Sequence, residues 1–189
     1  MVRISNIVMR VLQESGILDS VVGTITDYRK YAENEYYRHR IQETAETVGP
    51  GLYVDGETHV NAKTKIGKGA HFHGLNIRRE GPVTIGDNFH AGDGCEIITA
   101  THNYDYGEAI PYDDSFVVDE VIIEDNVWFG INVTVLPGVT IGEGAIIQAG
   151  SVVVDDIPAR AIAGGHPARV FKRRDREHYE RLKVAGKFK

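Results

Sequence analysis

The residues best suited to do chemistry cluster in ATHNYDYGEAIPYDDSF, residues 100–116. This stretch holds His102, the acids Asp105, Glu108, Asp113 and Asp114, and the tyrosines Tyr104, Tyr106 and Tyr112. An imidazole titrates near ~6.5, so around neutrality it can take a proton from a hydroxyl nucleophile and return it to a leaving group. Such a base needs its second ring nitrogen held, and a backbone carbonyl, Asp105 and Glu108 are the candidates here. His71 and His73 alternate around Phe72, so on a strand they face one side. Cys95 is the sole cysteine, which excludes an intrachain disulfide and a Cys-based zinc site. Nothing beside it in the chain would activate its thiol as a nucleophile.

The elements that must position these groups are announced by a beat of six. Residues 123–158 read IEDNVW, FGINVT, VLPGVT, IGEGAI, IQAGSV, VVDDIP. The first place is apolar throughout: Ile123, Phe129, Val135, Ile141, Ile147 and Val153. Asn126, Asn132, Gly138, Gly144 and Gly150 take the fourth place, where a sharp turn favours residues tolerant of positive φ. A period of six fits neither a helix, at 3.6, nor a lone strand, at 2. It fits a β-solenoid, whose neighbouring coils bury a common core. The beat also runs through Val60, Ile66 and Phe72, and through Ile85, Ala91 and Ile97. It slips within 73–84 and breaks between Ile97 and Ile123. Extra residues in a solenoid must leave the stack as loops, which predicts an excursion loop over about 103–119, directly after His102.

The flanks differ from the repeat. In residues 1–50, Ile4, Ile7, Val8, Val11 and Leu12, then Ile17, Leu18, Val21 and Val22, recur at helical spacing. Gly16 and Gly23 are expected to divide this segment into short helices that cap the first coil of the solenoid over 51–168. Residues 169–189 carry nine Lys or Arg against three acids, a local charge of +6, and are expected to be helical. The whole chain is at −6, so residues 1–168 hold −12, a balance that speaks against nucleic-acid binding. The basic tail is suited instead to phosphate groups of a smaller ligand. With 42% hydrophobic residues, the 189-residue chain can bury a core unaided. It shows neither a bilayer-spanning apolar run nor the pattern of a signal peptide, so a cytoplasmic location and little membrane contact are expected.

VWFGINVTVLPGVTIGEGAIIQAGSVVVDDIPARAIAGGHPARV, residues 127–170, resembles the hexapeptide-repeat acyltransferases. The branch it is most similar to holds the maltose, galactoside and surface-polysaccharide sugar O-acetyltransferases. Three elements carry the resemblance: a His opening an excursion loop, VWFG opening the next regular run, and AGGHPARV closing it. The resemblance implies an all-β solenoid, the left-handed parallel β-helix, assembled as a homotrimer with active sites between subunits. It also implies acetyl-CoA (coenzyme A) as co-substrate, no required metal, and a sugar or glycan hydroxyl as acceptor. His102 then stands at the position of the general base. Trp128 matches the residue beside the reactive end of the pantetheine arm, and Gly130, Ala149 and Gly150 match places where the backbone approaches that arm. Gly165, Pro167, Arg169 and Lys172 match the closing element, the two cations facing nucleotide phosphates. His73, Asn76 and His90 are candidates for acceptor contact. One departure stands out: Val154-Asp155-Asp156 occupies a place where the family commonly carries a Thr or a basic residue that helps bind the nucleotide. Alternative readings within the same fold are an N-acetyltransferase acting on an amino sugar or xenobiotic, a γ-class carbonic anhydrase and a non-catalytic scaffold. The carbonic anhydrases use two histidines five residues apart, a pair that this chain lacks.

Overall fold

The computed structural model describes residues 15–189. The apolar positions named above within 1–14 lie outside the described residues. From Thr47 the chain winds as a parallel β-solenoid of about six coils, the β-helix class that the hexapeptide beat implies. Each coil crosses three faces. The first face stacks Thr47–Val48, Thr64–Ile66, Val83–Ile85, Val121–Ile123 and Thr140–Ile141. The second stacks Tyr53–Val54, His71–Phe72, His90–Ala91, Trp128–Phe129, Ile146–Ile147 and Ala161–Gly165. The third stacks Leu75–Arg78, Cys95–Ile98, Thr134–Val135 and Val152–Val153.

The leading residue of each hexapeptide points inward. Ile123, Phe129, Val135, Ile141, Ile147 and Val153 are all fully buried. Parallel pairing sets them in columns, such as Ile66–Ile85–Ile123–Ile141 on the first face. Phe89 bridges the coils inside the tube, with its ring 4.9 Å from Phe129 and 6.0 Å from Phe72. The fourth place turns the corners: Asn126, Asn132, Gly138, Gly144 and Gly150 all have positive φ. Glycine at the second place has a different cause. A Cβ on Gly130 would lie 2.6 Å from the Ala149 nitrogen, so the close stacking of one coil on the next already demands glycine there.

Two flanking expectations change. Helix α1 runs unbroken over Ile17–Thr44, straight through Gly23. A glycine in a helix costs only about 1 kcal/mol, and here it does not break the helix; Gly16, with φ at 70°, is the residue before it. The C-terminal half of α1 caps the solenoid, from Lys30 and Asn34, which meet Asp55, to Tyr37 and the buried Ile41, which pack on the core, while Val21, Val22, Ile25 and Tyr28 are exposed. The stretch after 168 is not helical throughout either. Ala168–Arg173 is a strand that pairs antiparallel with Ala161–Gly165, closing the open edge of the last coil. Helix α2, Arg176–Val184, follows, its start capped by the Asp175 side chain accepting from the His178 N–H at 2.7 Å. It packs over a corner of the solenoid, where the Tyr179 hydroxyl donates to Glu143 at 2.9 Å and Lys183 pairs with the same carboxylate.

Candidate functional site

The second face carries most of the candidate residues. Pairing of successive coils puts Tyr53, His71, His90, Trp128, Ile146, Ile162 and Lys172 in one register line. Because their strand neighbours Val54, Phe72, Ala91 and Phe129 are buried, this line faces outward. His71 and His90 stack at 4.2 Å with their planes 25° apart, and Tyr53 lies 5.2 Å from His71. Burial, then the neighbouring charges of His71 and Lys189, pushes His90 down to about 4. His90 is therefore a neutral donor and acceptor near neutrality. His71 is also lowered, first by burial and then by His73.

A groove follows this line. One part, of ≈ 490 Å³, is lined by His73, His90, Trp128, Ile146, Arg174 and Lys189 among others. The adjoining part, of ≈ 290 Å³, is lined by Trp128, Gly130, Ile146, Ala149, Ile162 and Phe171 among others. Trp128 stands 55% exposed between the two. Gly150 forms the turn after Ala149, and Gly165 and Pro167 belong to the tight connection into the last strand. Arg169 pairs with Asp155 at 2.8 Å, so the acidic departure seen in the sequence sits directly on the cation expected to meet phosphate. Lys172 continues the Trp128 line through Ile162.

The candidates do not all converge. Asn76 is on the third face, in register with Glu96 and a bridge partner of His59, away from His73 and His90. The turn at Gly74, with φ at 117°, carries the chain round a corner between His73 and Asn76 and onto the third face. His73 instead approaches Asp55 at 3.6 Å, a carboxylate that also holds Lys30 and Asn34 of α1. Its carboxyl is lowered, first by the Lys30 hydrogen bond.

His102 ends the strand Ala100–His102, which pairs antiparallel with Phe116–Val118. The predicted excursion is thus a hairpin arm, leaving the solenoid between its third and first faces. The half-buried imidazole stacks on Tyr112, with centroids 3.7 Å apart and planes at 21°, and lies 4.4 Å from Phe116. Its Nδ1 is buried and, among the described residues, has no hydrogen-bond partner; Asp105 and Glu108 do not supply one. The acid that organises the arm is Asp113, which the sequence did not distinguish from the neighbouring acids. Its carboxylate accepts from the Glu108 and Ser115 N–H groups at 2.7 and 2.9 Å and from the Ser115 hydroxyl. Those bonds, the hydroxyl first, hold Asp113 down to about 2. The only early sign was an Asp followed two residues later by Ser, an ordinary turn signal.

Cys95 is fully buried and burial pushes its thiol up to about 11, which leaves it no nucleophilic role. Among the described residues, no group of three or more His, Cys, Asp or Glu could hold a metal ion. Among them, too, no helix is long and apolar enough to cross a membrane.

Residues 120–155 match the bacterial transferase hexapeptide (six repeats) family. The chain is 31% identical over 154 residues to the galactoside O-acetyltransferase of Escherichia coli strain K12, covering 78% of this chain and 75% of that one. The chain belongs to the hexapeptide-repeat acetyltransferases. It is thereby an enzyme of the acyltransferase class. A Schizosaccharomyces pombe protein named as an acetyltransferase is 44% identical over 95 residues, covering 50% of this chain but only 45% of that relative. Among solved structures, a hexapeptide-repeat acetyltransferase of Vibrio cholerae O1 biovar eltor, complexed with acetyl coenzyme A, superposes with a TM-score of 0.66. It is 26% identical, and the match covers 90% of this chain and 91% of that one.

Proposed function

We propose that this acetyltransferase is an O-acetyltransferase that moves the acetyl group of acetyl-CoA directly to a sugar or glycan hydroxyl, with His102 as general base. The observation that carries the proposal is the groove along the second face, where Trp128, Gly130 and Ala149 meet one channel and Lys172 lies on the same register line. A pantetheine arm would lie along Trp128, against the apolar wall of Ile146, Ile162 and Phe171. Gly165 and Pro167 shape the end of the groove, and Arg169 and Lys172 would meet the phosphates. His73 and His90 would line the acceptor side.

With Nδ1 buried, Nε2 is the nitrogen left to meet substrate. It would take the proton of the acceptor hydroxyl as the oxygen attacks the thioester carbonyl. When the tetrahedral intermediate collapses, the C–S bond breaks and the departing thiolate recovers that proton. The products are an acetyl ester and coenzyme A. Within one chain, Trp128 is on the second face and His102 leaves the corner between the third and first. A homotrimer, in which the arm of one subunit reaches the groove of the next, brings the two halves together. The setting we propose is cytoplasmic, where acetyl-CoA is at hand.

Calorimetric titration of acetyl-CoA into wild type and into Arg169→Ala/Lys172→Ala tests the groove. Micromolar-range binding, weakened in the variant, is expected. No binding at millimolar acetyl-CoA would sink the proposal. His102→Ala should lose turnover by roughly two to four orders of magnitude at nearly unchanged acetyl-CoA affinity, and near-normal kcat in that variant would remove His102 as the base.

A further inference from the structure

We infer that Tyr112 and Phe116 are positioning residues for His102, holding the imidazole plane and stabilising its charged form through their aromatic faces. The inference rests on His102 acting as the base. Histidine bases are commonly oriented by a hydrogen bond from the second ring nitrogen to a carboxylate or carbonyl. Among the described residues that device is missing, since Nδ1 is buried without a partner, and the Asp113 carboxylate of the same arm accepts from Glu108 and Ser115 instead. What touches the ring is aromatic: Tyr112 stacked at 3.7 Å and Phe116 at 4.4 Å.

The hairpin fixes both contacts. Phe116 is the register partner of His102 across the arm, so strand pairing sets the two side chains opposite each other on one face. Arg79 sits over the Phe116 ring at 4.5 Å and holds that ring in turn. Tyr112 comes from the return limb of the arm, close to the turn that Asp113 ties together. The energetic consequence follows from charge. A neutral imidazole gains dispersion from its neighbours, whereas the imidazolium formed during transfer also gains attraction to their negative π faces. The gain arises as the proton moves, so it belongs to the transition state and acts on kcat rather than on KM.

The test uses the full-length chain with Tyr112→Leu, Tyr112→Phe, Phe116→Leu and Phe116→Tyr. Acetyl-transfer kinetics on a sugar acceptor are combined with NMR of the His102 ring C–H protons, assigned by their loss in His102→Ala. The leucine variants should lose kcat roughly ten- to a hundredfold, the scale of a misplaced catalytic group, with KM for acetyl-CoA unchanged. The aromatic exchanges should restore kcat to within about threefold of wild type. In the spectra, ring-current shifts of the His102 protons should shrink in the leucine variants and persist in the aromatic ones. The positioning role is overturned if both leucine variants keep kcat within about twofold of wild type while His102→Ala is inactive; the base assignment then stands. It is overturned differently if His102→Ala itself turns over normally, because then the base assignment falls first. Wild-type protons without ring-current shifts would overturn the clamp whatever the kinetics.

Discussion

Replacing Trp128 by alanine gives a quantitative test of the groove. The indole is 55% exposed. Of the roughly 250 Å² a tryptophan can bury, about 140 Å² is thus still open to a ligand. At about 25 cal/mol per Å², complete coverage would contribute no more than ~3.5 kcal/mol. A pantetheine arm lying against one side covers about 60 Å² of this, or ~1.5 kcal/mol, which is roughly tenfold in Kd. Trp128→Ala should therefore weaken acetyl-CoA binding about tenfold, and Trp128→Phe by two- to fourfold, at the same arithmetic. Calorimetry measures both variants. Trp128 is the only tryptophan of the chain, so wild-type emission reports on this one position. Equal affinity in wild type and Trp128→Ala would refute the reasoning. So would unchanged wild-type emission at an acetyl-CoA concentration shown by calorimetry to saturate the protein.

Phe129→Ala removes a fully buried ring packed on Phe89 and should cost about 3–5 kcal/mol, seen as a lower urea midpoint; a loss below ~1 kcal/mol would contradict the packing described. Asp155→Asn should free Arg169 and tighten acetyl-CoA binding two- to fivefold, with a steeper salt dependence and almost no change in stability, because the pair is exposed; unchanged affinity would show that Arg169 meets no phosphate. For His90 the folded-state value of about 4 lies below the unfolded reference of ~6.5. The unfolded chain then binds more protons between the two, so stability falls as pH drops from ~6.5 towards 4. The full shift corresponds to about 3 kcal/mol, and screening at a half-buried site reduces it to the order of 1 kcal/mol. His90→Gln should flatten that slope in denaturation series across the window, and an unchanged slope would place the acid sensitivity elsewhere.

Much of the fold was legible because the hexapeptide is a local code. Residues at the first place go inward in every unit and those at the fourth turn the corner, so Ile123 to Val153 and Asn126 to Gly150 could be assigned without knowing any long-range contact. The reason for glycine at the second place was not legible, since only the stacked coils show that Gly130 meets the backbone of Ala149. Gly23 misled because a modest local penalty was taken as a break, and Ala168–Arg173 because its basic composition concealed a strand completed only by the edge of Ala161–Gly165.

The sequence by itself determined the repeat, the inward residues, the excursion after His102 and the resemblance that named the family. Tertiary structure alone decided which side chains share a surface. His71, His90 and Trp128 stand in line, and Asn76 stands apart, because register depends on how many residues each corner expels, which strand pairing fixes and a six-residue pattern does not. The surroundings of His102 were decided in the same way. Its ring meets Phe116 because the arm folds back antiparallel and pairing selects neighbours by register rather than by charge, and it meets Tyr112 because the loop of the arm folds over it.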